Sequence, residues 1–304
     1  MKMLILISIA TLAVLAGCVG GQKVSPIQRV VVIGDIHADI EAARRAFQLA
    51  GATDEQNDWI GGDLVVVQLG DIIGRSYEDR EVLDFILELR RKAKLSGGRV
   101  HVLIGNHEVF GARLELRWVA DGAYQEFADL PGIDVSVPSL THLPVYQRAR
   151  GAALLPGGYY AKQLADFPAV LKLGETIFVH GGVTPHWASY GMDRINEEVN
   201  HWLAGQTDEP LSTLGMDLGN FDDSVMMSRH FSEDVAEDDC LMLEESLEIL
   251  EAKRMVVAHS VQESITARCD EQVWAVDVGM SRYYGGELQV LEIIDDSVLS
   301  IIQN

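Results

Sequence analysis

Five short β-branched runs, each stopping at a small or metal-ligand-type residue, constrain this chain more than any other feature. Arg29–Ile33 leads into Gly34-Asp35-Ile36-His37-Ala38-Asp39, and Leu64–Leu69 into Gly70-Asp71-Ile72-Ile73-Gly74-Arg75. Val100–Ile104 leads into Gly105-Asn106-His107-Glu108, Thr176–Val179 into His180-Gly181-Gly182, and Met255–Ala258 into His259-Ser260. Each run has the length and Val/Ile content of a buried strand. Between the early runs, apolar residues recur at helical spacing: Ile40, Ala43 and Phe47 ahead of Gly51, then Val82, Phe85, Ile86 and Leu89 ahead of Gly97-Gly98. This alternation predicts an α/β domain with a largely parallel sheet. The tail differs: Val273–Val278, Gln289–Ile294 and Val298–Ile302 read as consecutive strands, the last two turning at Asp295-Asp296. They predict a second sheet with antiparallel pairing.

In open α/β sheets, ligands gather beyond the carboxyl ends of the strands. Two Asp, one Asn and three His would therefore converge on one place. Carboxylate, amide and imidazole donors without a thiolate suit manganese, iron or zinc. Asp35, His37 and Asp71 form one expected site, and Asp71, Asn106, His180 and His259 its neighbour, with the Asp71 carboxylate bridging. Two metals roughly 3.5 to 4 Å apart clamp the attacking and leaving oxygens of a phosphoryl displacement and lower the pKa of a shared water.

A length of 304 residues, 48% of them hydrophobic, allows one large single-core domain or at most two. With 24 basic against 46 acidic residues the formal charge is -22, a surface that repels nucleic acid but not a phosphorylated substrate held by divalent cations. Signatures of nucleotide-dependent motors, serine hydrolases and thiol redox enzymes (GxxxxGK[ST], GxSxG, CxxC) are absent. The acidic stretch 207–250 reads as a solvated loop followed by a surface helix. His101, His142, His186, His201 and His230 read as structural or exposed, with His101, in mid-strand, nearest the core.

At the start, Lys2 precedes an apolar run, Leu4–Ala16, too short to span a bilayer comfortably. Its end, Leu15-Ala16-Gly17-Cys18, resembles the lipobox of bacterial lipoproteins. That resemblance implies a signal peptide over 1–17, acylation of Cys18, a tether over 18–28 reaching roughly 35 Å, and a single domain over 29–304. The protein is then expected outside the cytoplasm, lipid-anchored to the bacterial membrane and facing the periplasm. Cys240 and Cys269 either pair in that oxidising setting or stay apart as small buried hydrophobes.

In this order GDIHAD, GDIIGRS, GNHE, HGG and AHS resemble the signature of the calcineurin-like metallophosphoesterases. GNHE and HGG lean toward the phosphoprotein phosphatase branch. DVGMSRYYGG (Asp277–Gly286) and PGGYYAKQLADFP before the HGG are similar to the Shewanella-like phosphatases. The resemblance runs from about Arg29 to the C-terminus. It implies a four-layer α-β-β-α sandwich with mixed sheets and the metal site at the strand C-terminal ends. It also implies two divalent metal ions (manganese first, iron or zinc as alternatives) on Asp35, His37, Asp71, Asn106, His180 and His259. Arg75 matches the arginine that binds phosphate, and His107 the histidine that protonates the leaving oxygen. Arg229 is the candidate second phosphate-binding and catalytic arginine, Tyr283 a residue lining the site, and Asn106 a substrate contact as well as a ligand.

The implied reaction is hydrolysis of a phosphorylated protein, peptide or small phosphoester, Ser/Thr or Tyr, with no nucleic acid and no obligate protein partner. One departure stands out. The family's second motif reads GDxxDRG, and here Gly74 replaces its second Asp and Ser76 its final Gly, while Ala38 is a milder change. That Asp supports the GNHE histidine, so metal binding is expected to survive while turnover falls about 10- to 100-fold or shifts in pH, unless Glu78 or Asp79 takes over. Two other readings stay open. One is a nucleotide or dinucleoside-polyphosphate hydrolase with Trp118, Tyr124 and Tyr146 for stacking. The other is a catalytically weak metal- or phosphate-binding lipoprotein.

Overall fold

The computed structural model describes residues 29–303 except 211–212 and 214–222. The signal peptide, Cys18 and the tether expected from the sequence lie outside the described residues.

The first half alternates as expected: β1 (Arg29–Ile33), α1 (Ile40–Leu49), β2 (Val65–Gln68), α2 (Asp79–Leu95), β3 (Arg99–Val102) and the short α3 (Asn106–Ala112). The three strands pair in parallel, β1 with β2 and β2 with β3. Asp39 starts α1 by accepting the Ala42 N–H at 3.1 Å, which satisfies one of the free donors of the first turn. The middle of the chain supplies α4 (Val145–Leu154), α5 (Tyr159–Leu164), β4 (Val170–Leu173), β5 (Thr176–Val179), α6 (Pro185–Tyr190) and α7 (Met192–Leu203). Then come α8 (Glu237–Ile249), β6 (Arg254–Val257), β7 (Thr266–Arg268), β8 (Val273–Ala275), β9 (Gln289–Ile294) and β10 (Val298–Gln303).

Two five-stranded mixed sheets result, ordered β10-β9-β1-β2-β3 and β4-β5-β6-β8-β7. The pattern of runs is right and their distribution between the sheets is not. β5 and β6 leave the parallel set of β1 to β3 to form the centre of the second sheet. The two tail strands return to the first sheet, where β9 lies antiparallel to β1. Side-chain period does not say which sheet a strand joins; the partner edge does. Asp295 and Asp296 adopt φ 49° and 51°, and the Ser297 N–H closes the turn onto Ile294 O at 3.1 Å. Two positive-φ residues are the type I′ requirement that fits strand twist.

Buried side chains of both sheets merge in one core, including Val31, Ile33, Val66, Ile177, Val256 and Val257. Two close approaches lock the sheets together at their carboxyl ends. Gly34 packs so tightly that a Cβ would meet Val276 O at 2.7 Å, and a His180 ring nitrogen bonds Leu69 O at 2.8 Å. The loops after β1, β2, β3, β5 and β6 therefore meet at one rim.

Candidate metal centre

The six expected ligands do meet there, all of them buried except His259, which is partly so. His37 Nε2 lies 3.6 Å from Asp35 Oδ2 and 3.7 Å from Asp71 Oδ2. His180 Nδ1 is 3.7 Å from Asp35 Oδ1, and its Nε2 is 3.4 Å from Asp71 Oδ1 and 2.9 Å from Asn106 Oδ1. His259 stacks at a tilt on His180 with ring centroids 5.0 Å apart. Two donor groups, His37/Asp71/His107 and Asp71/His180/His259, each bring their atoms within 4.8 Å of one another, with Asp71 common to both.

The first group contains His107 where Asp35 was expected. Asp35 is the better ligand on chemical grounds. Its Oδ1 is buried without a hydrogen-bond partner, and a buried carboxylate needs a cation beside it. His107 instead donates its backbone N–H to Asp71 Oδ1 at 2.8 Å, and its ring faces the edge of His37 at 4.7 Å.

Electrostatics argue the same way. Burial pushes the Asp35 carboxyl well above the usual range, and the neighbouring Asp277 adds to it. For Asp71, burial alone would raise the pKa, but His180, His107 and His37 outweigh it and hold the group well below the usual range. Burial also depresses His259, helped by His180 and Arg229, so its Nε2, buried and unpartnered, is a free lone pair. Burial opposes protonation of His180 too, yet Asp71 and Asp35 lift it to about 9: this cavity demands positive charge. Orphaned carboxylate and imidazole atoms around a shared carboxylate fit divalent cations with oxygen and nitrogen ligands.

Local strain accompanies the geometry. His37, Asp71, Arg75 and His259 adopt φ of 51°, 51°, 72° and 66°, a region that side chains avoid at a cost on the order of 1 kcal/mol or more each. Glu108 holds the second loop in this shape. Its carboxylate accepts N–H bonds from Asp71 (2.9 Å), Ile72 (3.0 Å), Ile73 (3.3 Å) and Gly105 (2.8 Å).

Around the ligands stand the other predicted residues. Arg75 places its guanidinium 4.2 Å from the Trp118 ring centroid, 5.1 Å from Tyr283 and 5.9 Å from Tyr284. Its Nη1 donates to the Tyr283 hydroxyl at 3.4 Å, while Nε has no partner. Tyr284 also lies 5.4 Å from His37. Arg229 is held in the acidic loop and at the His259 loop: Nη1 pairs with Glu233 at 2.6 Å and reaches Ser260 Oγ at 2.8 Å and His259 O at 3.4 Å.

Neither acid proposed to replace the missing motif Asp reaches His107. Asp79 Oδ1 accepts the Gly74 N–H at 2.6 Å, and its Oδ2 takes Arg150 Nε at 2.5 Å in a fully buried ion pair. Glu78 pairs with Arg282 at 2.9 Å. Burial leaves the His107 imidazole with a pKa of about 3.

Three contributors escaped the reading of the sequence. Glu108 was read as motif, not as the clamp on the Asp71 loop. Asp277 stands beside Gly34, buried, with Oδ2 unpartnered; it ends the β8 run as Asp35 and Asp71 end theirs, which was the available signal. Arg282 has no local signal, since its partner Asp39 lies 243 residues away.

The calcineurin-like phosphoesterase pattern matches residues 28–263, and the chain belongs to that family of hydrolases. Within it, the chain is 35% identical over 306 residues to Shewanella-like protein phosphatase 2 of Arabidopsis thaliana, covering 90% of this chain and 77% of that one. It is 25% identical over 282 residues to Shewanella-like protein phosphatase 1 of Plasmodium berghei (strain Anka), covering 90% and 74%. The fold matches the cold-active protein-tyrosine phosphatase of a psychrophilic Shewanella with a TM-score of 0.66 at 24% identity, covering 91% of this chain and 81% of that one. The chain is thus a metal-dependent phosphatase of the calcineurin-like class, similar to the Shewanella-like protein phosphatases.

Proposed function

We propose that the protein removes phosphate from phosphoproteins or phosphopeptides, with aryl phosphates such as phosphotyrosine among its substrates. The observation that carries this reading is the arginine cage: Arg75 beside the metal cluster, walled by Trp118, Tyr283 and Tyr284. A guanidinium binds two phosphate oxygens at once, and flat aromatic walls favour an aromatic ester next to it. The names of the relatives, protein phosphatases and a protein-tyrosine phosphatase, support the same substrate class.

In this reading Asp35, His37, Asp71, Asn106, His180 and His259 hold two divalent cations, manganese first. Those cations supply Lewis-acid polarisation of the phosphate and activation of the attacking water. Arg75 orients the phosphate, and Arg229, tethered to the His259 loop, is the second arginine to contact it. His107 delivers a proton to the leaving oxygen. Burial disfavours the charged form of its ring, and an anionic substrate beside it would favour that form.

The dinucleotide alternative has weaker support. Of the three aromatic residues it would need, Tyr124 is buried against Tyr146, ring centroids 5.5 Å apart, and so is closed to a stacking base. Lipid anchoring through Cys18 and an extracytoplasmic location belong to the same proposal. The cystine between Cys240 and Cys269 supports them, because such bonds persist in oxidising compartments.

The test uses the purified protein with manganese and p-nitrophenyl phosphate, then phosphotyrosine and phosphoserine peptides and nucleotides. Asp71→Asn is expected to lower turnover at least about 100-fold and to reduce bound metal below two ions per chain. Stoichiometric metal with no turnover of any substrate would replace the phosphatase with the binding lipoprotein. Preference for nucleotides over both peptides would overturn the substrate class.

A further inference from the structure

Away from the metal loops, toward the amino end of β3, a groove of about 640 Å3 runs between α2 and the outer edge of that strand. Leu87, Arg90, Arg91 and Lys94 fall at the spacing of one helix face and form one wall. Arg99 and His101, two residues apart on one side of an edge strand, form the other.

This gathering of cations is unusual in a chain with 46 acidic and 24 basic residues. Arg91 is neutralised by Glu88 at 2.6 Å. Arg90 lies 4.5 Å from the Phe167 ring centroid and donates to Val100 O at 3.3 Å, and burial lowers its pKa. Lys94 and Arg99 form no ion pair among the described residues. Among the described residues one carboxylate lines the groove, Asp166, which is exposed and lies close enough to Arg90 to favour its charge.

Arg90 and Lys94 are also a like-charged i,i+4 pair, an arrangement that destabilises a helix slightly. The second, independent observation is His101 Nε2, buried and without a hydrogen-bond partner. Native interiors seldom leave such an atom unsatisfied.

We propose that this groove is a second anion site, separate from the metal centre, taking a phosphate-type dianion between Lys94, Arg99 and Arg90 beside the His101 ring. Free phosphate and a phosphorylated side chain share that chemistry. The dianion offsets the repulsion among the three cations, of which only Arg90 has a carboxylate, Asp166, close enough to favour its charge.

The test follows the ring resonances of His101 by NMR in the full chain loaded with zinc, a diamagnetic ion that suits the same donors and leaves the histidine signals sharp. The resonances are assigned through His101→Gln. The probes are inorganic phosphate and a peptide carrying a non-hydrolysable phosphonate analogue of phosphoserine. His101 is expected to shift saturably with at least one of them: with phosphate alone the site serves the free anion, and with the peptide alone it serves a phosphorylated side chain. Lys94→Gln/Arg99→Gln is expected to raise Kd at least about tenfold, while turnover of p-nitrophenyl phosphate, which reports correct folding, stays unchanged. If His101 stays still through millimolar concentrations of both probes, or the double variant titrates like the parent, the groove is not an anion site.

Discussion

Gly74 lies against His107 at φ 80°, and an ideal Cβ on it would overlap the imidazole Nδ1. The motif acid therefore cannot be restored without displacing the ring it would support. Gly74→Asp is expected to lower kcat by at least about tenfold with metal content unchanged, measured by steady-state kinetics beside elemental analysis. A gain in kcat would mean instead that His107 lacks only an acid partner. The buried pair Asp79–Arg150 explains why no nearby acid substitutes: Asp79 already holds the Gly74 N–H and cannot leave Arg150 alone in the interior. At this scale the ligands were legible, since each follows its strand directly. The partners of the second motif were not, because they depend on where α4 packs.

Among elements, the loop Asp277–Gly286 is fastened to the metal loop after β1 chiefly through Arg282. Arg282 donates its backbone N–H to Asp39 Oδ2 at 2.6 Å and Nη2 to Asp39 Oδ1 at 2.8 Å, while Nη1 takes Glu78 at 2.9 Å. This docks Tyr283 and Tyr284 beside Arg75 and His37. Arg282→Ala is expected to raise KM for aryl phosphates about tenfold or more while kcat falls less. Equal losses for alkyl and aryl substrates would argue that the loop supports the fold and not the aromatic wall.

On β3, burial followed by the fields of Arg99 and Arg90 lowers His101 to about 4. Its folded pKa thus lies below the unfolded value of about 6.5. As pH falls through this window the unfolded chain binds a proton that the folded chain refuses, so stability is lost from about pH 6.5 down to about 4. The loss is at most about 1.4 kcal/mol per pH unit, and less because the ring is only partly shielded. Urea unfolding at several pH values is expected to show a shallower decline for His101→Gln, and identical slopes would remove His101 as the cause.

At the scale of the whole molecule, Cys240 of α8 and Cys269, in the turn between β7 and β8, form a disulfide with Cα atoms 5.3 Å apart and a sequence separation of 29. A loop of that length restricts the unfolded chain by about 3 to 4 kcal/mol. Cys240→Ala/Cys269→Ala is expected to lose about that much in denaturant unfolding, and reductant should then have no further effect on the variant. Eight of the ten strands among the described residues, the bounds of α1 and α2 and the meeting of the six expected ligand side chains could be read from the sequence, because each depends on local period or on the residue that ends a buried run; the type of fold followed from the resemblance of the motifs. Which sheet β5, β6, β9 and β10 join, the pairing of Cys240 with Cys269, the clamp of Arg282 on Asp39 and the fate of Asp79 were settled only in three dimensions. Those outcomes rest on contacts between segments far apart in the chain, where the packing of two sheets on one core, and not any local preference, selects the partner.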